Sequence, residues 1–239
     1  MNTLRRAPAE AVAAALEDVA ALGPFFTIEL GGTDQGRHPV EDTYADGCAD
    51  LIAAKADRYG TRELRVGASI VQLGHAARLW SPVLACTVLH GIVPDLHGLR
   101  RADDGPALHL PERPTGWYAD DAPHLTDVLY EVVVAQHLDV LAAGLRVKVA
   151  PGLSAGNAAS ALAESARAIV AARPDLRRTL DALLDDLLRT GRLAGTGTVV
   201  GPDLRFRRRS CCLYYRVPSG VKCEDCSLAG PAGSRGPTC

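Results

Sequence analysis

No uninterrupted apolar run reaches the eighteen or so residues that a bilayer span requires, so the sequence predicts no transmembrane helix. An internal repeat is also missing. Nor is there a secretory leader of ordinary form. Arg5 and Arg6 precede an Ala-rich stretch within Met1 to Leu22, but Glu10, Glu17 and Asp18 break its apolar character and predict an amphipathic helix instead. Large net charge is absent as well, at -2 overall. With an acidic remainder and no recognition helix, the basic run Arg207 to Arg209 does not make a nucleic-acid binder. Finally, the seven cysteines are an odd set, which leaves a thiol over in any disulfide scheme. These absences predict a protein of the reducing cytoplasm, with peripheral contact to a membrane left open.

At 239 residues, with 47% hydrophobic and 23% charged residues, the chain can bury a core without cysteine staples. Apolar residues recur at three- and four-residue spacing through Ala9 to Leu22, Tyr44 to Tyr59, Ile70 to Leu89, Leu125 to Leu145, Ala158 to Ala172 and Leu176 to Leu188, which predicts six helices. Pro174 marks a boundary and opens the last of them. Phe25 to Leu30, followed by Gly31 and Gly32, reads as a short strand and turn. Arg100 to Trp117, with Pro106, Pro111 and Pro114, is expected to be a loop or short hairpin, and Thr198 to Phe206 has strand character. The expected fold is mainly α: a helical single domain with a short N-terminal strand or hairpin element and a C-terminal Cys-rich loop. Residues 1–200 form the body, 201–228 the Cys-rich segment, and 229–239, rich in Gly, Ala, Pro and Ser and ending in Cys239, a disordered tail.

Four cysteines crowd into this last part as C-C-x10-C-x2-C: Cys211, Cys212, Cys223 and Cys226. The x2 pair has the turn spacing that lets two thiolates converge on a metal. Neighbouring side chains diverge on extended backbone, so the Cys211–Cys212 pair needs a bend if both are ligands. Pro218 to Gly220 supplies the turn that brings the pairs together. A binuclear cluster suits such a tight pair better than one tetrahedral ion, although zinc with four cysteines stays open. A thioredoxin-like dithiol is disfavoured because no βαβ context surrounds Cys223 and Cys226. Charge concentrates here too, with seven Lys and Arg against three Asp and Glu after residue 200. Cys48, Cys86 and Trp80 read as core; His75, His90 and His97 lack ligand spacing; Asn157 reads as the cap of a helix starting near Ala158.

The Cys spacing, its basic flank and Tyr214 to Pro218 resemble the C-terminal motif of ferric-siderophore reductases of the FhuF type. Ala76 to Leu84, His90 to Asp95, Gly156 to Leu162 and Leu193 to Gly197 are similar to family segments in the same order. The family often carries Trp before the Gly-Asn pair, where this chain has Ala155, and the resemblance would place Asn157 near substrate. The resemblance implies that Cys211, Cys212, Cys223 and Cys226 ligate a [2Fe-2S] cluster. It also implies one-electron reduction of a ferric siderophore, with electrons from an unidentified donor of the flavoprotein or ferredoxin class, and no catalytic acid, base or nucleophile. A non-catalytic siderophore-handling module and a zinc-stabilised interaction protein are the alternatives. Arg207, Arg208, Arg209, Arg216 and Lys222 are candidates for raising the cluster's potential or attracting an anionic partner.

Overall fold

A computed structural model describes residues 4–119, 124–201 and 203–228. Cys239 and the tail from residue 229 lie outside the described residues. The first helix, α1 (Ala9–Val19), buries Val12, Ala15, Leu16 and Val19, the one-sided stripe that its spacing predicts. Strands β1 (Glu29–Leu30) and β2 (Arg37–Pro39) follow, then α2 (Val40–Ala45) and α3 (Ala49–Arg58). The sequence predicts one helix across Tyr44 to Tyr59; the chain instead breaks at Gly47 and Cys48, both at positive φ. A side chain at Gly47 would lie 2.8 Å from the Gly144 carbonyl oxygen, so close packing against a later helix sets the break.

The long helix α4 (Leu64–His90) runs about 40 Å at 1.5 Å per residue. It carries Pro82 in its interior, where a backbone donor is lost, and ends at Gly91 in the left-handed conformation that glycine adopts freely. Its most extensive packing partner is α7 (Pro151–Ala172). Small buried residues on the α7 face that carries Ser154, Asn157 and Ser165, Ala158 and Ala161 among them, let the two helices approach, and Ser81 Oγ meets Ser165 Oγ at 2.8 Å across the contact. Trp80, Leu79 and Leu84 of α4 and Leu162 and Ile169 of α7 lie in the core, as do Cys48 and Cys86.

Between these helices, Arg100 to Trp117 forms a hairpin of β4 (Arg100–Ala102) and β5 (Leu108–Leu110), and β6 (Gly116–Tyr118) pairs with β3 (Ile92–Pro94). β5 pairs parallel with β1 and β4 antiparallel with β2, giving the sheet order β1-β5-β4-β2. α5 (Leu125–Tyr130) continues through a π-helical stretch, Glu131–Leu138, into α6 (Asp139–Gly144). From the π-helical stretch His137 Nδ1 reaches Tyr44 Oη at 3.1 Å, while His75 Nε2 lies 2.6 Å from the same oxygen. The shared phenol can donate to one ring and accept from the other, and burial keeps both imidazoles neutral. α8 (Arg177–Leu187) packs Leu180, Leu183, Leu184 and Leu187 inward. The last strands, β7 (Gly197–Val200) and β8 (Arg205–Arg208), form an antiparallel hairpin on α7. The fold is mainly helical with small strand elements, and the four clustered cysteines follow the last strand. Among the described residues no helix is long and apolar enough to cross a membrane.

Candidate metal centre

Strand alternation decides which arginine of the basic run enters the protein. Along β8, Phe206 and Arg208 point inward while Arg205 is exposed. Arg209 beyond it is exposed. The chain then reaches Cys211 and Cys212 and bends at Leu213, whose φ is 67°. This is the bend that adjacent ligands require, and it aims the Leu213 N–H at Cys211 Sγ, 3.3 Å away. A single helical turn, Tyr214–Arg216, leads into the Pro218–Gly220 turn. A side chain at Gly220 would collide with the Tyr214 carbonyl oxygen. Cys223 and Cys226 then form a tight turn, with the Cys226 N–H bonded to the Cys223 carbonyl at 3.1 Å.

The loop is fastened to the helical body at several points. Ser69 Oγ of α4 donates to the Cys212 carbonyl at 2.7 Å. Arg216 grips the Glu63 carboxylate at 2.8 to 3.1 Å, and Tyr214 meets Tyr59 edge to face at 5.5 Å. Asp225, inside the Cys223–Cys226 turn, accepts from Ser160 of α7, and its carbonyl accepts from the Arg208 N–H at 3.1 Å. Asn157 lies at the centre of this web. Its amide donates to the Ser69 carbonyl at 2.9 Å, and its oxygen accepts from Arg208 Nη2 at 2.5 Å. This corrects its expected role as a helix cap: α7 begins at Pro151, and Asn157 is a fully buried interior residue. Gly156 beside it leaves room for β8, since a Cβ there would press on Ser210 Oγ.

Cys212 and Cys226 are buried, Cys211 and Cys223 half-buried, and all four are free thiols. Cys212 Sγ and Cys223 Sγ lie 3.5 Å apart. Two thiolates on one tetrahedral metal at about 2.3 Å stand roughly 3.8 Å apart, so this pair is already near a shared-metal spacing. The contact shares one proton. The Cys212 thiol is pulled down, chiefly by the hydrogen bond from Cys223, with the Tyr214 N–H and Arg208 also favouring the thiolate. Cys223 is pushed up by the same bond, by burial and by Asp225. Burial raises Cys211. Among the described residues no group of three or more His, Cys, Asp or Glu side chains is drawn together as a metal-ion site.

Beside these thiols the fully buried Arg208 is left with unused donors. Its guanidinium stands 3.9 Å from the Asp225 carboxylate, and Nε and Nη1 have no hydrogen-bond acceptor among the described residues; Ser210 Oγ has no partner there either. Buried donors without acceptors are costly. A dianionic cluster with sulfur acceptors offsets that cost, so the residues present fit one. The other cations are placed differently. Arg216 is committed to Glu63, and exposed Lys222 bonds the Leu228 carbonyl at 2.9 Å. Sequence reasoning missed Ser69, Ser160 and Asp225. For Arg208 the usable signal was strand alternation, which separates it from Arg207 and Arg209.

Four free thiols, a bend at the adjacent pair and a buried arginine therefore lie together in the C-terminal segment. Residues 208–228 match the model of the FhuF 2Fe-2S C-terminal domain, which supports kinship with the FhuF type over this stretch, and the cofactor is a [2Fe-2S] cluster. Searches of curated proteins and of solved structures return no match.

Proposed function

We propose that this chain is a ferric-siderophore reductase of the cytoplasm, in which Cys211, Cys212, Cys223 and Cys226 ligate the [2Fe-2S] cluster. The match of residues 208–228 to the FhuF 2Fe-2S domain carries this reading. Residues 1–200 serve as the body and 201–228 as the cluster-carrying unit. Siderophores hold Fe(III) far more tightly than Fe(II), because hard oxygen donors favour the smaller, more highly charged ion. When bound, the cluster supplies one electron that converts siderophore-held Fe(III) to Fe(II), which the siderophore then releases. Arg208 holds a positive charge beside the thiolates, Ser69 and Asp225 fix the two arms of the loop, and half-buried Cys211 and Cys223 keep one side near solvent. Electrons come from a flavoprotein or ferredoxin-class donor. The 3.5 Å approach of Cys212 and Cys223 suits a pairing in which one iron would be held by those two thiolates and the other by Cys211 and Cys226.

Anaerobic purification followed by absorption, iron and sulfide analysis tests the ligand set. A coloured protein with two irons and two sulfides is expected; colourless protein with stoichiometric zinc would instead make it a zinc-stabilised interaction protein. Dithionite-reduced protein is then mixed with a ferric siderophore, and reoxidation of the cluster with release of Fe(II) is expected. A cluster that no ferric siderophore reoxidises leaves a non-catalytic siderophore-handling module. If the pairing is right, Cys212→Ser and Cys223→Ser share one spectral signature and Cys211→Ser and Cys226→Ser another. Four unrelated spectra refute it.

A further inference from the structure

A cavity of about 240 Å³ opens between α3, α4 and the β4–β5 hairpin, with none of the four C-terminal cysteines in its lining. At 100° per residue, its α4 residues Val71, Gly74 and Arg78 lie on the side of the helix opposite Ser69, which holds the Cys212 carbonyl. One wall is apolar, made by Leu51, Ile70 and Val71. Tyr44 and His75, joined through the Tyr44 hydroxyl that also meets His137, are part of its lining.

The opposite character comes from Lys55, Arg58 and Arg78. Elsewhere on this protein basic groups find carboxylates: Arg101, also in the lining, is matched by Asp50 at 2.7 Å, and Arg216 by Glu63. Among the described residues, none of Lys55, Arg58 and Arg78 has a carboxylate within 4.0 Å. Half-buried Arg78 has only the Gly74 carbonyl at 3.0 Å and the face of Phe25 at 4.7 Å. The three cations repel one another, and together with burial this lowers the Lys55 ammonium. Asp104 is the acidic residue among those lining the cavity, and its side chain is exposed. Like charges gathered in a partly desolvated cavity are unfavourable unless an anion completes them. Guanidinium forks suit carboxylate geometry.

We infer that this cavity is a binding site for a small organic carboxylate, its head held by Lys55, Arg58 and Arg78 and its hydrophobic body against Leu51, Ile70 and Val71. The volume corresponds to about eight waters at roughly 30 Å³ each, so the ligand has about that many non-hydrogen atoms, and a whole ferric siderophore does not fit. The site does not rest on the reductase reading, because no cysteine of the cluster segment lines it.

Calorimetric titration of the full chain with benzoate, inorganic phosphate and benzyl alcohol tests it. Benzoate is expected to bind once per chain, at least ten-fold more tightly than either comparison compound, and to weaken with added salt. Arg78→Gln and, separately, the more exposed Lys55→Gln are each expected to weaken benzoate at least ten-fold, with melting of the ligand-free variants reporting on folding. No saturable benzoate binding overturns the proposal. Equal affinity for phosphate reduces the site to a bare anion patch, and equal affinity for benzyl alcohol reduces it to an apolar hollow; either result refutes a carboxylate site.

Discussion

Replacing Arg208 by glutamine removes a cation whose side chain has no exposure to solvent. In the cluster-free protein the substitution leaves the nearly buried Asp225 carboxylate with Ser160 but no counter-charge, and takes the 2.5 Å donor from Asn157. Breaking a buried pair by removing one partner costs about 3–5 kcal/mol. The 3.9 Å separation and the two unused guanidinium donors put this case at the low end, about 3 kcal/mol. A chain of this size loses about 2–4 °C of Tm per kcal/mol, so thermal unfolding followed by circular dichroism is expected to shift down by about 6–12 °C. Arg209→Gln, at an exposed position one residue away, is expected to stay within about 0.5 kcal/mol. In the cluster-loaded protein the same pair separates in potential. Reduction adds negative charge, a buried cation favours it, and solvent screens an exposed one. Spectroelectrochemistry should therefore show a lower midpoint potential for Arg208→Gln and little change for Arg209→Gln. Equal shifts in the two variants, or a fall in Tm under about 2 °C for Arg208→Gln, would refute the account of Arg208 as the buried counter-charge.

Three further outcomes follow from the same geometry. Burial and the neighbouring His137 push His75 down to about 3, and burial pushes His137 to about 4, both below the 6.5 of an unfolded histidine. The unfolded chain therefore binds more protons below pH 6.5, so their contribution is intact above that pH and is lost as it falls toward 4 and then 3, at about 1.4 kcal/mol per unit for each histidine. His75→Leu should roughly halve that part of the acid slope in urea titrations, and an unchanged slope would rule His75 out as a source. Gly220→Ala drives a methyl group onto the Tyr214 carbonyl oxygen and should cut iron and sulfide content several-fold while helical circular dichroism is unaltered; full cluster loading would show that the turn tolerates it. Cys211→Ser and Cys212→Ser should each change the cluster's visible spectrum, and an unaltered spectrum in either removes that thiolate from the ligand set.

Sequence and structure divide the work along physical lines. Helical periodicity is a local signal, and it placed α1, α4, α7 and α8 to within a few residues of one edge or the other, because each buries a stripe that the spacing of its apolar residues describes. The crowding of four cysteines near the C-terminus was equally legible, since it is written in the sequence itself. Long-range packing left no such mark. Nothing local announces that Gly47 meets Gly144 and splits a helix in two, or that Pro151 starts α7 well ahead of Asn157. Nor does composition tell Arg207, Arg208 and Arg209 apart as charges. One sits buried against Asp225 and Asn157 because β8 turns that face toward α7, and its neighbours do not. The sequence by itself determined a mainly helical protein with four cysteines crowded near its C-terminal end. Which cation stands beside them, and which side chains tie the loop to the body, was decided by contacts between distant residues, such as Ser69 with Cys212, 143 positions apart, and Ser160 with Asp225, 65 apart, which exist only once α4, α7 and β8 have packed.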